Sequence, residues 1–211
     1  MKEPKTYISQ LFGNVCQNDS RQSFEELFKL FYKKLFKFSV HYIKDREAAE
    51  EIISDTLFKL WMKRKELSRV QDLENYLFIM VKNQSLNYLK QFSNFRVAYF
   101  TETGDHQLLN TDDPQKELER RELLFQMNRA IEALPQQCKI IFNLVKEEGL
   151  KYKDVAQILD ISPRTVESQL VRAMQKLDKI LSPYILGHNA PPKRKAKTIT
   201  AIRSILFSIL S

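Results

Sequence analysis

Arg164, Thr165, Glu167, Ser168, Gln169 and Arg172 bring six hydrogen-bonding side chains into the first turns of a helix, off its apolar stripe. Side chains of these types reach the donor and acceptor edges of bases in a major groove, and the amides that open the same helix suit a phosphate. The chemistry they fit is recognition of paired bases. The plain alternative is the solvated outer face of a bundle helix, which is also polar.

The elements around these residues favour DNA. In LKYKDVAQILDISPRTVESQLVRAMQKLDKIL, residues 150–181, Val155, Ala156 and Leu159 give a short helix one apolar face. Val166, Leu170, Ala173, Met174 and Leu177 repeat that pattern after a break. Ala156 is small where two helices must cross closely. Asp160 stands where the chain must turn sharply, and a short polar side chain tolerates the left-handed conformation there. Ser162 suits an N-cap and Pro163 the first helical position, where a missing N–H costs nothing. The pattern is a helix-turn-helix whose second helix starts at Pro163.

Two other faces carry functional residue types. Asp45 is placed to cap a helix in which Ala49, Ile52, Ile53, Thr56, Leu57 and Leu60 point inward, with Trp61 at the stripe's edge. At about 100° per residue, Glu51, Asp55, Phe58 and Met62 share the opposite side. Carboxylates mixed with a Phe and a Met are expected where a protein partner docks. From Leu73 to Phe92 a third helix, with Asp72 as N-cap, puts Leu73, Leu77, Met80, Val81 and Tyr88 on one face and Tyr76, Asn83, Asn87 and Lys90 on another. An aromatic, two amides and a cation on one strip can stack on an unpaired base, bond its edge and hold its phosphate. Asn and Tyr satisfied inside a core would give the same residues.

The whole chain sets the frame. Its 211 residues leave room for one or two domains, and only 4 are glycine. A net charge of +8 favours a polyanionic partner, nucleic acid or an anionic membrane surface. Long 3.6-residue stripes imply an all-α fold, beginning with Phe24, Leu27, Phe28, Phe31, Leu35 and Phe38, a core-facing stripe flanked by Lys29, Lys33, Lys34 and Lys37. Residues 1–22 are weakly patterned and read as an N-terminal extension. Residues 23–92 read as the first domain, 93–116 as a flexible linker rich in Asn, Asp, Thr, Gly and Pro, 117–182 as the second domain, and 183–211 as a basic and apolar tail.

Within the second domain a helix starting at Gln115 carries Leu123, Met127, Ala130, Ile131 and Leu134, and a following one carries Cys138, Ile141, Phe142 and Val145 and ends before Gly149. The chain then turns at Pro183. The apolar end of the tail, Thr198 to Leu210, is too short for a bilayer, which takes about 20 apolar residues, and suits packing on the second domain in preference to a membrane surface. Cys16 and Cys138 have no metal-ligand spacing with His41, His106 and His188, so neither a metal site nor a cofactor is expected, and Cys138 reads as a small buried hydrophobe. Charges run through the place where a signal peptide needs an apolar core, which points to the cytoplasm.

Together these stretches resemble one family, the extracytoplasmic-function (ECF) sigma factors of the sigma-70 family, over roughly Phe24 to Leu181. DREAAEEIISDTLFKLW is similar to the family's helix that docks on the clamp coiled coil of core RNA polymerase, which implies that role for Glu51, Asp55, Phe58 and Met62. NYLFIMVKNQSLNYLKQF resembles the promoter-melting helix that holds a flipped base of the minus-ten element. Tyr76 stands where the family often has Trp, and Asn83 and Tyr88 match. ALPQQCKIIFNLVKEEGLKYKDVAQIL and ISPRTVESQLVRAMQKL resemble the helices of sigma domain four, whose recognition helix reads the minus-thirty-five duplex. Lys139 replaces the usual Arg, and Glu167 occupies a site often basic, where a carboxylate can accept from cytosine N4.

The resemblance implies two small helical domains, sigma domain two and sigma domain four, in an alternative sigma factor that does no chemistry of its own. Its implied partners are core RNA polymerase, promoter DNA and an anti-sigma factor, and the free chain is expected to be a monomer. ISPRTVESQL also resembles the recognition helix of LuxR-type regulators, which bind duplex operators as dimers behind a ligand-binding or phosphoacceptor domain; residues 24–92 supply no such domain. A magnesium-dependent enzyme using Glu50, Glu51 and Asp55 lacks a glycine-rich phosphate loop and a second acidic cluster.

Overall fold

The computed structural model describes residues 5–92, 122 and 125–186. Helices α1 (Lys5–Asn18), α2 (Arg21–Ile43), α3 (Arg46–Met62) and α4 (Leu73–Phe92), with a 3-10 turn over Glu66–Arg69, dominate one compact unit. A second is dominated by α5 (residues 125–132), α6 (Gln136–Phe142) and α8 (Pro163–Leu186), with α7 (Tyr152–Leu159) leading into α8. No strand occurs among the described residues, in line with the all-α expectation.

The front unit is built around α2, which packs against α1, α3 and α4. Leu27, Phe31, Leu35, Phe38 and Ile43 are buried along it, and each large apolar side chain removed from water contributes about 1.5–3 kcal/mol. Ser20 caps the start of α2 by accepting the Ser23 N–H at 3.2 Å. Lys44, at φ 53°, ends it by donating its own N–H to the Val40 carbonyl at 2.9 Å. Asp45 then caps α3 through the Ala48 N–H, and Asp72 caps α4 through the Asn75 N–H, both at 3.1 Å as the sequence leads one to expect. Phe78 meets Phe38 edge-on at 5.0 Å, and the buried hydroxyls of Ser39 and Ser85 bond at 3.0 Å, fixing the rotation of α4 against α2.

Helix α1 occupies a stretch for which the sequence reading assigned no element. Its buried Ile8, Leu11, Phe12, Val15 and Cys16 follow helical spacing and pack it against α2. Tyr7 donates to Glu26 across that contact, and Asp19 pairs with Arg64 at 2.6 Å. Packing outweighs a mid-helix Gly13, which lowers local propensity by roughly 1 kcal/mol.

In the rear unit α6 packs on α8. Met127, Ala130, Ile131 and Leu134 of the α5 segment are buried, as are Ile141, Phe142 and Leu144, and Leu170, Ala173, Leu177 and Leu181 along α8. The second helix of this domain is not α-helical throughout: it passes from α6 into a π turn over Asn143–Glu147 and ends before Gly149, as its spacing leads one to expect. Gly149, at φ 62°, then lets the Leu150 N–H reach back to the Leu144 carbonyl at 3.0 Å. Nor does the chain turn at Pro183. Helix α8 continues through it to Leu186, the proline removing one N–H donor near the end of the helix, where few bonds remain downstream.

The helix start at Gln115, the linker over 93–116, the basic run 193–197 and the apolar stretch 198–210 lie outside the described residues. Among the described residues no helix is long and apolar enough to cross a membrane.

Candidate nucleic-acid and partner interfaces

The turn before α8 is built from local chemistry. Helix α7 ends with Asp160 left-handed at φ 59°, and the Ile161 N–H bonds the Ala156 carbonyl at 3.0 Å, the long-range bond of a Schellman motif. Ser162 Oγ accepts the Thr165 N–H at 3.0 Å, and α8 begins at Pro163. The stripe of Val166, Leu170, Ala173 and Leu177 is buried, which turns the opposite face outward. Arg164, Glu167, Ser168 and Arg172 are exposed on that face, with Thr165 and Gln169 half-buried at its margins.

These six side chains are not equally available. The Thr165 hydroxyl bonds that of the capping Ser162 at 2.8 Å, and Ser168 Oγ donates to the Thr165 carbonyl at 3.0 Å. Gln169 Oε1 accepts from the buried thiol of Cys138 at 3.0 Å. The cap thus occupies part of Thr165, while Arg164, Glu167 and Arg172 extend as charged groups. Val171, 50% exposed between Gln169 and Arg172, is an apolar contact of the kind that suits a thymine methyl, and periodicity alone did not single it out. A groove of about 530 Å³ beside this face is lined by Cys138, Gln169, Arg172, Gln175, Lys176 and Lys179. It continues the cationic stripe beyond Arg172.

In the front unit the strip on α4 faces away from the core. Leu77, Phe78, Val81 and Ser85 are buried, so Asn83, Asn87 and Lys90 lie exposed on the other side, with Tyr76 half-buried on the same strip. Tyr88 stands apart from them. Its hydroxyl donates to Asp45, the α3 cap, at 3.0 Å. Burial first, then the bond to Asp45 and the charges of Asp45 and Glu51, raise its pKa above the ordinary phenol value. Tyr88 therefore ties α4 to α3 as a neutral donor.

The outer face of α3 presents Glu51, Asp55, Phe58 and Met62 together, as expected from their spacing. Phe58 and Met62 are each 61% exposed, and Asp55 pairs with Lys59 at 3.8 Å within the helix. Beside Phe58 an apolar groove of about 440 Å³ runs between α2 and α3, lined by Phe24, Phe28, Leu57 and Trp61, with Arg21 and Glu25 at its rim. Phe24 meets Trp61 at 5.1 Å, and the Arg64 guanidinium covers the indole at 4.4 Å. Phe28 departs from the core-facing stripe to which its spacing assigned it. It is 37% exposed and stacks on Tyr32 at 5.3 Å, because the wide aromatic stripe of α2 exceeds what α3 and α4 cover. Its i, i+4 relation to Phe24 and Tyr32 was the available signal. Among the described residues no cluster of three or more His, Cys, Asp or Glu side chains is arranged to hold a metal ion.

Residues 27–94 match the family Sigma-70 region 2, and residues 124–177 match Sigma-70, region 4. The RNA polymerase sigma-H factor of Pseudomonas aeruginosa is 24% identical over 184 residues, covering 83% of this chain and 94% of that protein. The ECF RNA polymerase sigma-E factor of Escherichia coli strain K12 is 26% identical over 145 residues, 68% of this chain and 71% of that protein. Two solved structures share the fold. The sigma factor RpoE in complex with the anti-sigma factor NepR from Bartonella quintana has a TM-score of 0.55 at 20% identity, over 76% of this chain and 98% of that one. CnrH in complex with the cytosolic domain of CnrY has a TM-score of 0.53 at 15% identity, over 83% and 97%.

Proposed function

The chain belongs to the sigma-70 family of RNA polymerase sigma factors, in its extracytoplasmic-function group, and we propose that its front unit holds polymerase and one opened strand while its rear unit reads paired bases. Core RNA polymerase docks on the α3 face of Glu51, Asp55, Phe58 and Met62 and the adjoining α2–α3 groove. The α4 strip of Tyr76, Asn83, Asn87 and Lys90 captures an unpaired base of the minus-ten element, aromatic stacking offsetting part of the unstacking cost at about 1–3 kcal/mol per base. The first turns of α8, Arg164, Thr165, Glu167, Ser168, Gln169 and Arg172, contact the minus-thirty-five duplex.

The domain limits go with this assignment: 23–92 for domain two and 117–182 for domain four, with α1 docked on the former as an added element and 183–211 as a tail. The protein works in the cytoplasm as a monomer when free, is held by an anti-sigma factor as RpoE is by NepR, and leaves phosphoryl transfer to the polymerase.

The observation that carries the reading is the pair Phe58 and Met62, both 61% exposed on a helix whose other side is core. A helix-turn-helix alone serves any regulator; a large apolar surface on a second unit calls for a protein partner. The test is transcription in vitro with bare core polymerase on a promoter library. Sequence-specific transcripts that require the chain support the reading. Tight binding to duplex operators without polymerase, and no such transcripts, overturns it in favour of a LuxR-type regulator.

A further inference from the structure

Gln169 is held from behind. The thiol of Cys138, on α6, donates to its Oε1 at 3.0 Å, and Cys138 is only 4% exposed in the α6–α8 contact. A glutamine on a reading face ordinarily offers an acceptor and a donor side by side, the pairing that matches adenine N6 and N7. With Oε1 turned toward α6, the outward part of the amide is Nε2, which only donates. Arg172, nearly one turn along on the same groove, is also donor-only. Two adjacent donor groups match an edge that only accepts, and guanine, with O6 and N7, presents one in the major groove.

We propose that Cys138 is a positioning residue that fixes the amide of Gln169 and so sets its base preference to guanine over adenine. The inference rests on the proposed duplex-reading role of α8 and deepens it. A valine at 138 removes the donor and adds bulk; a serine keeps a donor; an alanine removes the donor with no added bulk.

Two measurements on the full chain test this. In the free protein, the side-chain amide resonance of Gln169, identified by its loss in Gln169→Ala, shifts in Cys138→Val and Cys138→Ala and stays near its original place in Cys138→Ser. In complex with core polymerase, selection from duplexes randomised over the minus-thirty-five element gives guanine at the position whose preference disappears in Gln169→Ala. Cys138→Val and Cys138→Ala move that position toward adenine by on the order of tenfold, the scale of one base contact, and Cys138→Ser restores guanine. Unchanged preference in both donor-free variants overturns the inference while leaving the duplex-reading role standing, whether or not the amide signal moves. A wild-type complex that selects no sequence overturns that role and the inference with it.

Discussion

Lys34 Nζ of α2 meets Glu74 Oε1 of α4 at 3.1 Å, with 5% of the Glu74 side chain and 27% of the Lys34 side chain exposed. The pair lies on the side of α4 opposite Tyr76, so it helps to decide which face of α4 looks outward. Removing the cation strands a buried carboxylate, a loss of about 3 kcal/mol, whereas an apolar pair of similar volume is close to neutral. Lys34→Ala is therefore expected to lower the urea midpoint of the front unit sharply, and Lys34→Met with Glu74→Leu to recover most of it. Equal loss in the single and double variants would show that the carboxylate reaches water.

The α3 face separates polymerase binding from DNA binding. Asp55→Arg together with Phe58→Ala inverts a charge and removes an aromatic that is 61% exposed. A residue of this kind at the centre of an interface contributes about 2 kcal/mol or more. Affinity for core polymerase, measured by titration with a labelled chain, falls by tens of fold, while binding of the rear unit to minus-thirty-five duplex is unchanged. Undiminished polymerase affinity would remove these residues from the docking surface.

Tyr76 and Arg172 act at different steps. Tyr76→Ala loses a stacking surface for an unpaired base, about 1–3 kcal/mol, so strand opening followed by a fluorescent base analogue slows while closed-complex formation is little changed. Arg172→Ala lowers closed-complex affinity and leaves opening from the bound state intact. Equal loss at both steps in either variant would mean that the faces are wrongly assigned.

Much of this was legible from periodicity and caps. Asp45, Asp72, Ser162 and the left-handed Asp160 are local devices, and each is where its neighbours require it. Phe58 was legible because a large apolar group opposite a buried stripe has no core to enter. Helix α1 was missed although Ile8, Leu11, Phe12, Val15 and Cys16 fall on one face, because Gly13 weakens the local signal and packing on α2 supplies the rest. The π turn at Asn143–Glu147 shifts register by one residue, a tertiary adjustment that spacing does not encode. Cys138 was legible as buried, and its bond to Gln169 was not, since nothing local brings residues 31 apart together.

Alkaline pH loosens the front unit through Tyr42. Burial beside Phe38, whose ring stands edge-on at 5.1 Å, pushes the Tyr42 phenol up to about 12 from its usual 10. The folded state thus holds this proton more tightly than the unfolded chain does. Its contribution is fully present below pH 10 and is lost as pH rises toward about 12, where the unfolded chain ionises first. In denaturant midpoints measured from pH 9 to 12, Tyr42→Phe has a shallower decline than the wild type. Parallel declines would show that other groups dominate alkaline unfolding.

The turn between α7 and α8 can be tuned in both directions. Asp160 sits at φ 59°, where a Cβ crowds the backbone and glycine does not. Asp160→Gly relieves that strain and gives back part of it as extra freedom of the unfolded chain, a net gain of roughly 0.5 kcal/mol. Ser162→Ala removes the acceptor of the Thr165 N–H and costs about 1 kcal/mol. Hydrogen exchange at the amides of residues 164–168 reads both, slowing in Asp160→Gly and quickening in Ser162→Ala. The same first turn carries Arg164 and Glu167, so fraying in Ser162→Ala also weakens minus-thirty-five binding, whereas Arg172→Ala weakens binding with exchange unchanged. Loss of binding in Ser162→Ala without faster exchange would mean that the serine hydroxyl contacts DNA directly rather than holding the helix start.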